Sequence, residues 1–101
     1  MGRMALLSDA DIEDALAELP GWTREGDAIR KQFTFGSFPE AVEFVNSLVP
    51  DAEAADHHPD LTLSYRRVTV AYSTHSEGGL TAKDVAGAKV AEAKASDLRS
   101  R

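Results

Sequence analysis

Three times in this chain a hydroxyl side chain stands three positions before an acid, with an apolar periodic stretch behind it: Ser8-x-x-Asp11, Ser37-x-x-Glu40 and Thr81-x-x-Asp84. Each is the pattern of a capping box. The hydroxyl accepts from a backbone N–H of the first helical turn, and the acid reaches back to the N–H of the cap residue. The acid also sits at the positive end of the helix dipole. Three helix starts divide the chain, and what fills the two gaps between them decides the fold class.

The helices follow from the periodicity behind each cap. The first is predicted over 9–19, where Ile12, Ala15, Leu16 and Leu19 form one apolar stripe and Pro20-Gly21 ends it. The second begins at 38, with Pro39 in its first turn. Phe38, Val42, Val45 and Val49 are read as its inner face, and Pro50 is expected to kink or break it before the pattern resumes over 51–55. The third is predicted over 82–96, with Val85, Ala86, Val90 and Ala93 inward. Gly87 weakens it by about 1 kcal/mol relative to alanine.

The gaps read as hairpins. In the first, strands at 22–24 and 28–35 flank the turn Glu25-Gly26-Asp27; Ile29, Phe33 and Phe35 alternate with Arg30, Gln32 and Thr34. In the second, Leu61, Leu63 and Tyr65 alternate with polar residues, as do Val68, Val70 and Tyr72. Folding about Arg66-Arg67 sets Leu63 against Val70 and Leu61 against Tyr72, apolar on apolar, which a one-residue slip would destroy. Helix, hairpin, helix, hairpin, helix is an α+β pattern: a four-stranded antiparallel sheet with the helices packed on one face. At 101 residues the chain is expected to be a single domain spanning 1–101, with 1–6 and 98–101 frayed.

Composition removes several classes. Apolar residues are 43% and charged residues 28%, ordinary for a globular domain. There is no cysteine, so disulfide scaffolds, thiolate metal sites and thiol catalysis are out. The net charge of −6 lacks the basic footprint of direct nucleic-acid binding. No apolar run approaches the roughly 18 residues that span a bilayer. No membrane association and a cytoplasmic location are expected.

All three histidines, His57, His58 and His75, lie within one 19-residue stretch. Extending the predicted hairpin register sets His75 opposite His58 at the open end of the sheet. Glu53 and Asp56 precede the pair, and Glu53 is four residues from His57. Imidazole is the side chain that titrates near working pH, so such a cluster suits general acid–base catalysis. No GxSxG elbow, GxGxxG, Walker loop or HExxH is present. Three imidazoles and a carboxylate can also hold zinc, which leaves a metal-dependent hydrolase as an alternative. Adjacent histidines, however, cannot share one helix or strand face, and there is no His-x3-His spacing. Trp22 reads as a core or rim aromatic, with substrate stacking as its functional alternative.

The residues Glu53-Ala-Ala-Asp56-His57-His58-Pro59, Tyr65, His75 and Asp84 resemble the signature of the pterin-4a-carbinolamine dehydratases, Glu-x3-His-His-Pro-x5-aromatic-x9-His-x8-Asp, at every spacing. Ser73-Thr74-His75 and Gly21-Trp22 are also similar to that family, and the likeness runs from the first helix to the last. Pro50 is the departure, since it falls where the family builds a continuous helix.

The resemblance implies an α+β fold, a homodimer or homotetramer, and dehydration of a 4a-hydroxytetrahydropterin to the quinonoid dihydropterin. This recycles the pterin of aromatic amino-acid hydroxylases. The pterin is then the substrate, with no separate cofactor and no metal. By position, His57, His58 and His75 carry the chemistry: His57 and His75 as acids at the leaving hydroxyl, His58 as pterin ligand and base. Glu53 and Asp56 orient them, and Pro59, Ser73, Thr74 and Trp22 line the substrate. Asp84 is read as the cap of the third helix and Tyr65 as packing. Relatives that act as a transcriptional coactivator or as assembly chaperones supply the other alternative, a non-catalytic binding factor on the same scaffold.

Overall fold

The structure of the chain, a computed structural model, describes residues 5–100. Its elements in order are α1 (Asp9–Ala17), β1 (Thr23–Glu25), β2 (Ala28–Thr34), α2 (Phe38–Ala55), β3 (Asp60–Ser64), β4 (Arg67–Tyr72) and α3 (Ala82–Arg99). One turn of 3-10 helix, His75–Glu77, precedes α3. The strands form one antiparallel sheet in the order β1-β2-β4-β3. The α+β class read from the alternating patterns is the class observed. Ile29 and Phe33 of β2, and Val68, Val70 and Tyr72 of β4, pack in one buried cluster with Ile12, Phe44, Leu48 and Ala88 from the helices.

The capping residues act as the sequence indicates, with one difference. Ser8 with Asp11 and Thr81 with Asp84 form complete capping boxes. Ser37 caps α2 by accepting from the Glu40 N–H, but the Glu40 carboxylate turns instead to the N–H of Gly36. α1 stops at Ala17, two residues short of the expected 19, and Gly21 then takes φ 87°. Leu19 is nonetheless buried, because the chain turns back over the core directly after the helix.

Packing corrects the helix faces. Ala41, Phe44 and Leu48 are the buried residues of α2, whereas Phe38 and Val49 are exposed. That helix is apolar over more than half its circumference, so periodicity alone left its orientation open. It also continues through Pro50 without a break. On α3 the buried stripe is Asp84, Ala88, Ala91, Ala95 and Leu98, while Ala86 and Ala93 are exposed. α3 reaches Arg99, three residues past the expected end. Leu98 is only 7% exposed, and the Arg99 guanidinium donates to the Thr34 carbonyl, so the expected fraying over 98–100 is not found. At the other end, the Leu7 N–H donates to the Leu80 carbonyl. Of the other residues expected to fray, Ala5 and Leu6 are exposed and belong to no helix or strand, and 1–4 and 101 lie outside the described residues.

The second hairpin keeps its faces but changes its register. Leu61 opposes Val70 and Leu63 opposes Val68, a shift of two residues from the expected pairing. Because side chains alternate with period 2, a two-residue shift preserves apolar-on-apolar contact. The turn is therefore Tyr65-Arg66, closed by Ser64 opposite Arg67, with Tyr65 at φ 55°. A positive φ at the first turn position suits the twist of a tight hairpin. Tyr65 is consequently exposed, not packed. The shift also sets Ser73, not His75, level with His58 in the continued register.

Candidate active site

The C-terminus of α2 delivers the histidine pair. Asp56 takes the left-handed conformation, φ 49° and ψ 43°, and its N–H closes on the Ala52 and Glu53 carbonyls. The His57 N–H also donates to the Ala52 carbonyl, at 3.1 Å. A left-handed residue just past the last turn ends a helix and swings the chain away. Asp56 thus sets where both imidazoles emerge, while its carboxylate is exposed.

Each imidazole of the pair has a different carboxylate. His57 Nε2 lies 2.7 Å from Asp84 Oδ1, with side-chain exposures of 11% and 0%. His58 Nε2 lies 2.6 Å from Glu53 Oε2, with exposures of 56% and 69%. The i, i+4 pairing expected between Glu53 and His57 is therefore replaced. The left-handed Asp56 lies between them, so His57 leaves the helical path and turns inward, and His58 takes up the glutamate.

Asp84 does more than cap α3. Its Oδ2 accepts from the Thr81 N–H at 2.9 Å and from the Thr74 hydroxyl at 2.8 Å. The Thr74 proton is then committed to Asp84, so the Thr81 hydroxyl donates to Thr74 Oγ1, also at 2.8 Å. With Oδ2 so occupied, Oδ1 accepts the Nε2 proton of His57, which leaves Nδ1 as the nitrogen available for chemistry. A carboxylate in this position fixes the tautomer, anchors Nε2 and stabilises the imidazolium. Thr74, expected to contact substrate, is buried and serves this network.

A ring packs against the buried imidazole. Tyr72 stacks on His57 with centroids 6.0 Å apart and planes 21° apart. Burial, then the negative charges of Asp51 and Asp84, push its phenol from the ordinary 10 up to about 12. Trp22, 4% exposed, stands edge-on to Phe33 and tilted against Tyr72. It sits as a core residue and not as a rim aromatic. Tyr72 went unnoticed as a site residue because its apolar alternation explained it as a strand position.

The three histidines line three different cavities. His57 borders one of about 140 Å³ beside Tyr72 and Val90. His58, with Pro59 and Leu61, borders a groove of about 270 Å³. His75 is exposed at the start of the 3-10 turn, on a cleft of about 330 Å³ shared with Ser73, Asp27 and Asp60. His58 and His75 were placed side by side by the expected register; the two-residue shift carries His75 beyond the paired ladder. Among the described residues, no three His, Cys, Asp or Glu side chains are grouped to hold a metal ion. No described helix is long and apolar enough to cross a membrane.

The sequence model described as "Pterin 4 alpha carbinolamine dehydratase" matches residues 5–94. A Mycobacteroides abscessus protein provisionally named a pterin-4-alpha-carbinolamine dehydratase is 53% identical over 82% of this chain and 88% of its own. A Roseiflexus castenholzii protein of the same provisional name is 55% identical over 79% and 86%. The crystal structure of a transcriptional coactivator/pterin dehydratase from Brucella melitensis superposes with a TM-score of 0.87 at 35% identity, covering 90% of this chain and 99% of that one. A pterin dehydratase-like RuBisCO assembly factor of the alpha-carboxysome shares the fold, at TM-score 0.60 and 21% identity over 73% and 86%.

Two outcomes follow from the network and the ring. Asp84→Ala leaves a buried hydroxyl, a buried N–H and the His57 N–H without their acceptor, and urea denaturation should show a loss of about 2–4 kcal/mol. For Tyr72, the raised pKa means that the folded state holds a proton that the unfolded chain releases. The stability this contributes is complete below pH 10 and is lost as pH rises from 10 to about 12. Tyr72→Phe lacks this component, so the wild-type-minus-variant stability difference, measured by denaturation across that window, should decline as pH rises.

Proposed function

The chain belongs to the pterin-4-alpha-carbinolamine dehydratase family, and from that premise we propose that it dehydrates a 4a-hydroxytetrahydropterin to the quinonoid dihydropterin. The observation that carries the reading is the His57–Asp84 pair, an imidazole held at Nε2 by a buried carboxylate with Nδ1 left over. In the reaction the N5 lone pair expels the 4a-hydroxyl, which takes a proton and leaves as water. The resulting cation loses the N5 proton to give the quinonoid product. An acid and a base are needed, and no bond to the protein forms.

His57 serves as the acid at the departing hydroxyl, and His58, whose groove adjoins the His57 cavity at Ala52, binds the pterin and takes the N5 proton; His75, expected as a second acid, lines a separate cleft and is given no step in this scheme. Asp84 and Glu53 hold His57 and His58 at Nε2 and offset the charge each ring gains. General acid–base help of about 10²–10⁴ per step suffices for a carbinolamine that is already labile. The pterin is the substrate, no separate cofactor takes part, and the product re-enters use by an aromatic amino-acid hydroxylase only after a separate reductase has returned it, by two electrons and two protons, to the tetrahydropterin. A second reading, a binding or assembly role, draws on the Brucella melitensis relative, whose name pairs a coactivator with a dehydratase.

The active protein is a homodimer or homotetramer. β3 is a sheet edge exposed along its whole length, and it carries Leu61 and Leu63 on the helix side. The exposed Val49 of α2 lines the same groove as Leu61. An apolar, unpaired edge strand is a site for strand pairing with another chain, and a chain this short gains core area by association.

Turnover of a carbinolamine by the purified protein tests the enzymatic reading. His58→Ala should reduce kcat/KM by about 10²-fold or more, and dialysis against EDTA should leave wild-type turnover unchanged. Near-wild-type turnover in the variant, or activity lost together with a stoichiometric zinc, overturns it; a wild-type protein without turnover leaves the binding role. Light scattering at micromolar concentration should give two or four times the 10.9 kDa chain mass. Leu61→Lys should shift the protein toward the monomer, and a fully active 10.9 kDa wild type refutes the assembly.

A further inference from the structure

We infer that Gly87 and Tyr72 act as positioning residues for His57, with the glycine making the space in which the tyrosine ring holds the imidazole plane. The inference rests on the reading of His57 as an acid–base group. Gly87 stands in the middle of α3, where glycine is a poor helix former among so many alanines. Its backbone is not in the left-handed region, so conformation does not call for it. Space does. A Cβ at 87 would lie 2.5 Å from Tyr72 Cε1, 2.7 Å from Cζ and 2.8 Å from Cδ1.

The same ring is bounded elsewhere by the site. His57 stacks on it at 6.0 Å and Trp22 tilts against it at 6.2 Å. Asp84 and Gly87, one helical turn apart on α3, therefore both act on His57. Asp84 binds Nε2 directly, and Gly87 admits the ring that lies along the imidazole face. The carboxylate alone fixes one atom and leaves the ring free to swing about the Nε2–Oδ1 direction. The aromatic contact removes that freedom, since stacked rings favour a defined offset and tilt. A methyl at 87 displaces the tyrosine, and in whichever direction it yields, the face it offers His57 changes.

Helix propensity predicts that Gly87→Ala is harmless, so this variant separates the two accounts. It should lower kcat about tenfold, with KM changing by less than about twofold, because a misplaced proton donor costs rate more than binding. The ¹⁵N signals of the His57 ring should move, while those of the exposed, glutamate-held His58 should not. Adding Tyr72→Val, whose side chain ends short of the Cδ1, Cε1 and Cζ atoms that the new methyl would meet, should restore part of kcat, whereas Tyr72→Val alone should lower it. Tyr72→Phe keeps the ring and should leave the His57 signals in place. A folded Gly87→Ala protein with unmoved His57 signals and unchanged kcat overturns the inference. If that variant does not fold, Tyr72→Val decides by the same two readouts. If the wild type shows no dehydratase turnover, the reading of the function fails, and the ring signals still decide whether Gly87 and Tyr72 place His57.

Discussion

The buried carboxylate of Asp84 is the group on which the rest of the site depends. A carboxylate with no exposure is costly unless every acceptor position is filled. Here the filling donors come from three separate parts of the chain: the Thr81 N–H at the start of α3, the Thr74 hydroxyl after β4, and the His57 ring after α2. Satisfying one charge therefore fixes how the last helix, the end of the sheet and the end of the middle helix meet. The alanines at 88, 91 and 95 let α3 come close enough to the core for that to happen. Lys31, on the inner face of β2, anchors the same helix further along through Glu92 and also donates to the Pro20 carbonyl.

The two imidazole–carboxylate pairs have similar geometry and different surroundings. His58 and Glu53 meet in solvent, where the pair is screened and the side chains lose entropy by meeting. His57 and Asp84 meet where little water competes, so that bond holds Nε2 far more firmly, and the Tyr72 ring lies along the imidazole face. A ring held rigidly suits proton delivery to one fixed atom. A ring held loosely suits a base that also grips the substrate. The division of roles proposed for the dehydration follows this contrast.

Some of this was legible residue by residue. All three hydroxyl caps were found, and the apolar alternation assigned the faces of β3 and β4 correctly even though the register was two residues out. The turn was the weak point. A tight turn at Tyr65-Arg66 needs a positive φ at tyrosine, and nothing in that residue advertises it. The inner faces of α2 and α3 were legible only in part: Val45 and Val85 do pack against the core, but α2 has a wide apolar arc and α3 carries alanines nearly all round, so only contact with the sheet selects the buried stripe. Asp84 was read as a cap, which it is; its bond to His57 spans 27 positions and has no local signature.

Local chemistry is what the sequence determined by itself: where helices start, which strand positions alternate, the absence of thiols, and a histidine-rich signature. Each depends on residues within one or two turns of each other, so each can be read along the chain. The tertiary structure alone decided which carboxylate holds which imidazole, that Thr74 and Trp22 face inward, and that Gly87 is required by a ring and not by its own backbone. These depend on distances between elements. Those distances are set by how closely side chains and backbone pack once the core has formed, and a one-dimensional pattern does not encode them.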